Sequence, residues 1–324
     1  MSFTRAALIL AIASTAATAD PSHDWVRGMT RSSTTIYAAT PSKVRAFDAN
    51  LKVTAEAPMP TGVEAYGVAL SPDGHDLAVA RTDGIWVVDA KTLKERRMVH
   101  PAGKIEKLPD ATMETEDPFG DVRGVGYATD GKLVSISERG ALCFEAAKSC
   151  YDAMPSHTGV IEAGRPASFA VVGADAVFAW RASKLIVIHP GAQPQRLGKE
   201  HELPDNGTEL LAAATNGWIA IDYESNNFDL IRPGKRIRVW AEVAALAFSP
   251  NGRYLVASTR KAIVRYDLRC LDKSPPNATK VTTTNEPIAS SLLVSDTGEV
   301  IGGDLAGNVT KLAGADSSPP PTCR

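Results

Sequence analysis

Residues Ala69 to Ala90 read ALSPDGHDLAVARTDGIWVVDA, and residues Ala247 to Leu268 read AFSPNGRYLVASTRKAIVRYDL. The two stretches align without a gap: Ser71-Pro72-Asp73-Gly74 faces Ser249-Pro250-Asn251-Gly252, Leu77 faces Leu255, Ile85 faces Ile263 and Asp89 faces Asp267. A self-match of this kind marks a repeated structural unit. The unit decomposes into an apolar strand ending in Ser-Pro, an Asp-Gly or Asn-Gly turn, a second strand, a polar corner, and a third strand ending in Asp. Asp-Gly and Asn-Gly tolerate positive φ and so predict tight antiparallel hairpins.

The same unit recurs along the chain. Third strands are predicted at KVRAFDAN from Lys43, GIWVVDAK from Gly84, ALCFEAAK from Ala141, KLIVIHPG from Lys184, FDLIRPGK from Phe228, AIVRYDLR from Ala262 and NVTKLAGA from Asn308. Second strands precede them as TTIYAAT, DLAVART, KLVSISE, AVFAWRA, WIAIDYE, YLVASTR and EVIGGDL. Seven antiparallel units at a period of roughly 40 residues, with no helical periodicity, predict an all-β fold: a seven-bladed β-propeller of four-stranded blades. Inner strands such as YGVALS, SFAVVG and LLAAAT are rich in small residues, as a crowded ring around a central channel requires. Trp86, Trp180, Trp218, Tyr254 and Tyr266 are expected in the widening wedges between blades. One interval is longer, where HPAGKIEKLPDATMETEDPFG from His100 intrudes.

The first residues, MSFTRAALILAIASTAATAD, carry one Arg, an apolar run and an Ala17-Thr18-Ala19 site, the pattern of a cleavable secretory signal peptide over residues 1–19. The propeller is then expected over 20–315 and a Pro-rich tail over 316–324, with the mature protein periplasmic or secreted. No later apolar run is long enough for a membrane span. A net charge of -2 gives no field to recruit nucleic acid. Export favours disulfides. Four cysteines allow three pairings; the simplest joins Cys143 to Cys150 across the hairpin around FEAAKS and leaves Cys270 with Cys323, pinning the tail.

The pattern SPDG, LAVA, DG-I-WVVD resembles WD40-type repeats, and more closely the exported bacterial seven-bladed propellers of the YVTN type. The Trp-Asp position of strict WD40 repeats reads Phe47-Asp48, Val88-Asp89, Phe144-Glu145, Ile188-His189, Ile231-Arg232, Tyr266-Asp267 and Leu312-Ala313. The resemblance therefore implies a fold and leaves the chemistry open.

Signatures of catalysis are missing: there is no Gly-x-Ser-x-Gly elbow, His-Glu-x-x-His, haem-attachment or calcium-loop pattern. The six histidines lack local metal-ligand spacing. GYATDGKL from Gly126 imitates the start of a phosphate loop, but Leu133 stands where Ser or Thr is needed and Asp130-Gly131 is the repeat's own turn. The remaining candidate is the funnel mouth. The connections into the inner strands supply Glu64, Asp121, Arg123, Arg165, Glu209, Glu242 and Glu286. Corners between second and third strands supply Arg81, Asp83, Glu138, Arg139, Arg181, Glu224, Asn226, Arg260, Lys261 and Asp304. Arginine forks and carboxylates in one rim suit a protein or peptide surface.

The expected function is thus a non-catalytic binding scaffold without a cofactor. Its partner is another exported protein or peptide, and the chain stands as a monomer or as part of a hetero-complex. One alternative is a metal-dependent lactonase or other hydrolase, with Glu64, Glu209, Glu242 and Glu286 gathering a divalent cation such as Ca2+. A second is an accessory subunit of a periplasmic redox system. A surface of paired, solvated charges fits the same residues.

Overall fold

The computed structural model describes residues 24–106, 119–145, 148–152, 169–180, 184–189, 195–196, 208–223, 227–259, 261–269, 271, 277–283 and 289–316. The expected signal peptide, most of the tail, the acidic part of the insertion and both Cys270 and Cys323 lie outside the described residues.

Seven sheets follow one another along the chain. Blade 1 holds β1 (Gly28–Arg31), β2 (Ile36–Thr40), β3 (Lys43–Phe47) and β4 (Val53–Pro58); blade 2 holds β5 (Ala65–Leu70), β6 (Asp76–Arg81), β7 (Gly84–Asp89) and β8 (Glu95–Val99). After β9 (Lys104–Glu106), blade 3 holds β10 (Val122–Tyr127), β11 (Leu133–Ser137), β12 (Ala141–Phe144) and β13 (Ser149–Asp152). Blade 4 holds β14 (Phe169–Val172), β15 (Asp175–Trp180), β16 (Lys184–Ile188) and β17 (Gln195–Arg196); blade 5 holds β18 (Thr208–Ala213), β19 (Ile219–Tyr223), β20 (Asn227–Arg232) and β21 (Lys235–Val239). Blade 6 holds β22 (Val243–Phe248), β23 (Tyr254–Thr259), β24 (Ala262–Asp267) and β25 (Asn277–Thr283), and blade 7 holds β26 (Ser291–Val294), β27 (Val300–Gly303) and β28 (Val309–Ala313). Every predicted second and third strand is present. Two blades depart from four strands. Blade 3 gains β9, paired in parallel to β13, and blade 7 shows three strands among the described residues.

The repeated Ser-Pro-Asp-Gly does not form the two-residue hairpin that Asp-Gly suggests. The Ser71 N–H donates to Asp76 O (2.8 Å) and the Gly74 N–H to Ser71 O (2.9 Å). Ser71 Oγ accepts the Asp76 N–H and donates to Asp73 Oδ1, so the serine side chain fills the gap of a wider loop. Gly74 takes φ 74°, a left-handed value that Asp73 avoids. The second copy repeats each bond: Ser249 N–H to Tyr254 O, Gly252 N–H to Ser249 O, and Tyr254 N–H to Ser249 Oγ. The Asp that ends the third strand also has a local task. Asp89 Oδ1 accepts the N–H groups of Lys91 and Thr92, and Asp48 Oδ1 those of Asn50 and Lys52, each capping the turn into the outer strand.

The core lies between blades. Val44, Ala57, Leu77 and Trp86 join blades 1 and 2; Ala80, Ile85, Val122 and Leu133 join 2 and 3; Ile136, Phe144, Ala176 and Ile188 join 3 and 4. Val172, Ile219 and Ile231 join 4 and 5; Phe228, Leu230, Leu255 and Tyr266 join 5 and 6; Tyr254, Val256, Leu292 and Val300 join 6 and 7. Val26, Ile36, Phe47 and Ile301 join blade 7 to blade 1 and close the ring. Trp86, Trp218, Tyr254 and Tyr266 are buried in these wedges as expected, and the Trp180 side chain is outside the description. Cys143 and Cys150 face each other across β12 and β13 and form the predicted disulfide, covered by Ile105 and Phe119 from the insertion. The Cys270 to Cys323 pairing falls outside the described residues. Among those residues, no helix is long and apolar enough to cross a membrane.

Candidate functional site

In a propeller the connections into the inner strands and the corners between second and third strands share one face. Hydrogen bonds tie these two kinds of segment together here: the Thr82 N–H donates to Glu64 O (3.1 Å) and the Glu138 N–H to Asp121 O (2.7 Å). Glu64, Asp121 and Arg123 are consequently brought into one cluster over blades 1 to 3, together with Arg27, Tyr66 and Glu138.

Tyr66, on the inner strand β5, is the hub. The Arg27 guanidinium lies 4.6 Å from its ring centroid and that of Arg123 lies 3.9 Å from it, two cation-π contacts on one buried ring. Arg27 Nη1 pairs with Glu64 (3.0 Å) and donates to Ala65 O (3.2 Å). Arg123 Nη2 reaches both Asp121 (3.2 Å) and Glu138 (2.7 Å), and the Tyr66 hydroxyl donates to Asp121 Oδ2 at 3.5 Å. Both arginine side chains are nearly enclosed, at 10% and 6% exposure, whereas Glu64 is half exposed. Burial, reinforced by the neighbouring Glu138 charge, pushes the Asp121 carboxyl up, with Arg123 opposing. Burial also raises the Tyr66 phenol.

The other expected rim residues are dispersed. Arg81 is buried and forks onto Asp83 within its own corner, Nε to Oδ1 at 2.7 Å and Nη2 to Oδ2 at 2.5 Å, with its guanidinium over Trp86. That hydrogen bond, against a smaller effect of burial, holds the Asp83 carboxyl below its ordinary value. Arg139 is exposed beside Glu138, and Glu242 is half-buried at the entry to blade 6. Glu209 lies on β18, with its side chain outside the description. Arg165, Arg181, Arg260 and Glu286 lie outside the described residues, as do Glu224 and Asn226. Of the four glutamates considered for a cation, Glu64 is held by Arg27. Among the described residues, no three His, Cys, Asp or Glu side chains come together as a metal-ligand set.

Sequence reasoning missed three members of this face. Arg27 precedes β1, an inner strand whose short GMTR carries little apolar signal. Tyr66 stands two residues after Glu64 and was legible only as core. Trp240, in the connection from β21 to β22 on the same face, is 77% exposed, the most exposed large apolar side chain among the described residues. Its signal was in plain view, a Trp between a charged strand and Ala241-Glu242.

No protein-family profile matches the chain, and no curated protein matches it. Among solved structures, the chain is similar to hydrazine synthase from Kuenenia stuttgartiensis, with TM-score 0.61 and 16% identity over 93% of this chain and 98% of that one. It is also similar to a chain of a mitotic checkpoint complex, with TM-score 0.62 and 13% identity over 90% of this chain and 86% of that one. At these identities the likeness establishes the β-propeller fold.

Proposed function

We propose that this protein is an exported, non-catalytic propeller of the WD40-like type that serves as a binding scaffold for another protein or a peptide, using the face that carries Glu64, Arg139 and Trp240. The observation that carries the reading is Trp240, which presents most of its indole to solvent on that face. Leaving so large an apolar side chain in water is unfavourable, and Trp is among the residues most enriched in interface anchors. The enclosed Arg27–Tyr66–Arg123 stack supports the same face from beneath, because its rigid charges fix the rim before a partner arrives. The signal-like N-terminus and the Cys143–Cys150 bridge support export.

A photo-crosslinking residue in place of Ala241, used in an extract of the cell envelope, tests the reading. A discrete adduct is expected, and Trp240→Ala combined with Arg139→Glu is expected to reduce it about tenfold, an interface hot-spot effect. Lys91→Glu, on the opposite face, should leave it unchanged. Capture that survives the first pair and is lost with Lys91→Glu would place the interface on the other side of the ring.

A further inference from the structure

The central channel is not lined evenly. At the end away from the rim, the inner strands of blades 1 and 4 to 7 border a half-open cavity of about 250 Å3, mostly apolar, with Val172, Ala213, Phe248 and Leu293 in its wall beside Thr30, Arg31, Thr215 and Ser249. It meets a wider vestibule of about 620 Å3 among the Ser-Pro-Asp-Gly type turns, and both spaces share Thr30, Arg31 and Pro250. Arg31 therefore stands at the neck, with an apolar bore on one side and open polar turns on the other.

The polar contacts of Arg31 are long, and its Nε reaches Ser32 O only at 3.4 Å. Its Nη1 reaches Glu299 Oε2 at 3.3 Å, a long contact, while the other oxygen of Glu299 is held by Lys311 at 2.6 Å. A ligand anion that took over Arg31 would leave Glu299 still paired. The vestibule also carries Asp73 and Asp296. Each already accepts hydrogen bonds from its surroundings, Asp73 from Ser71 Oγ and the His75 N–H, Asp296 from the Asn251 N–H. Their charges disfavour a polyanion and leave room for one negative charge at Arg31.

We propose that this neck and bore form a binding site for a single terminal carboxylate carried on an apolar chain, the carboxylate on Arg31 and the chain inside the channel. The apolar part gains by leaving water for a bore that offers few hydrogen bonds, and the guanidinium supplies direction through a charge-assisted hydrogen bond. Two sources share this chemistry: a medium-chain fatty acid, and the free C-terminus of an apolar peptide. The site lies at the end of the ring opposite to Trp240 and stands independently of the scaffold reading.

Isothermal titration of the mature protein with decanoate, decanol and decyltrimethylammonium, and with acetyl-Ala-Leu-Val-Val as acid and as amide, tests it. At least one carboxylate should bind, and its neutral counterpart should bind about tenfold more weakly, the scale of one charge-assisted contact. The fatty acid and the peptide acid tell the two sources apart. Arg31→Gln should bring the carboxylate down to the level of the neutral ligand. Ala213→Leu, which fills the bore without touching the neck, should weaken both. Equal binding of acid and neutral forms, preference for the ammonium, no binding of either acid at millimolar concentration, or unchanged affinity in Ala213→Leu would each overturn the proposal.

Discussion

Arg123 shows how much one side chain can organise. It is 6% exposed, packs on Tyr66 and is the shared partner of Asp121 and Glu138. Its removal leaves two carboxylates facing each other in a half-buried corner, so Arg123→Met should cost about 3 kcal/mol at neutral pH. The pH dependence has a defined sign. Asp121 already titrates above its ordinary value in the folded protein, because burial and Glu138 disfavour its charge. A carboxyl with a raised folded pKa binds protons more readily folded than unfolded, so its contribution to stability falls as pH rises through and above the ordinary carboxylate range. Without Arg123 that effect grows. The melting-temperature deficit of Arg123→Met should be largest near pH 7 and shrink toward pH 4, and an equal deficit at both would show that only packing was lost. Gly126 makes the opposite point, a place where nothing fits. A Cβ there would sit 2.5 Å from Val171 Cγ2, where inner strands β10 and β14 converge. Gly126→Ala should therefore destabilise by about 1–3 kcal/mol through overpacking, measured by denaturant unfolding.

The hairpin β12–β13 is where the element scale matters, because its disulfide joins residues already paired across the two strands. Closing so short a loop in the unfolded chain is worth about 2 kcal/mol. The bridge also sits under Ile105 and Phe119, which tie the insertion to the blade's outer edge. Replacing both cysteines by serine should lower the melting temperature and speed hydrogen exchange in β13 and β9, with blades 5 and 6 unaffected. Uniform acceleration would mean that the insertion is held by something else. Elements also explain what the sequence could disclose. Second and third strands such as DLAVAR and GIWVVD were legible because both of their faces are buried, which gives runs that no loop imitates, while VTKLA in blade 7, with Thr310 and Lys311 exposed, was found through its place in the repeat. Outer strands such as ERRMV and KRIRV are exposed or only partly buried and dense in charge, with no apolar run, so they read as connections. The inner strands β1 and β26 are four residues each, too short for a period to register. Strand β9 was hidden for another reason: its partner is β13, more than forty residues on, and nothing local signals a parallel addition. Of the expected rim, Glu64, Asp121, Arg123 and Glu138 could be picked out as charges in connections, whereas the stacking of Arg27 and Arg123 on Tyr66 depends on inter-blade distances that no local pattern encodes.

At the scale of the whole molecule the weak point is the seam between first and last blades, where no described strand is shared. The seam is held by a few long-range contacts. The Val26 N–H donates to Asp304 O (3.0 Å), Ser290 Oγ to Val26 O (2.7 Å), and Arg45 Nη1 to Gly307 O (3.1 Å), over the cluster of Val26, Ile36, Phe47 and Ile301. On the other side of blade 7, Asp316 anchors the chain to blade 6. Nearly buried, it accepts from the Tyr254 hydroxyl (3.0 Å) and pairs with Arg265 (3.3 Å), while its N–H donates to Thr297 O (2.7 Å). Blade 7 is thus fastened to blade 6 by the nearly buried Asp316–Arg265 pair, and to blade 1 by these hydrogen bonds, apolar packing and the longer, partly exposed Arg31–Glu299 contact (3.3 Å), and the ring should open at the latter. Ser290→Ala with Arg45→Met removes two of the seam bonds and should cost about 1–3 kcal/mol, at roughly 1 kcal/mol for each bond lost. Native-state hydrogen exchange should then rise first in β1, β2 and β27. Asp316→Ala should cost about 3 kcal/mol, since it leaves Arg265 and Tyr254 without their shared acceptor. Its exchange should rise at β23 and β28 instead. If both variants accelerate the same strands, the ring opens as one unit and the seam has no separate stability. If Asp316→Ala alone loosens β1, closure runs through the tail, and the expected Cys270–Cys323 bridge, found or missed by peptide mapping without reduction, becomes the element that secures it.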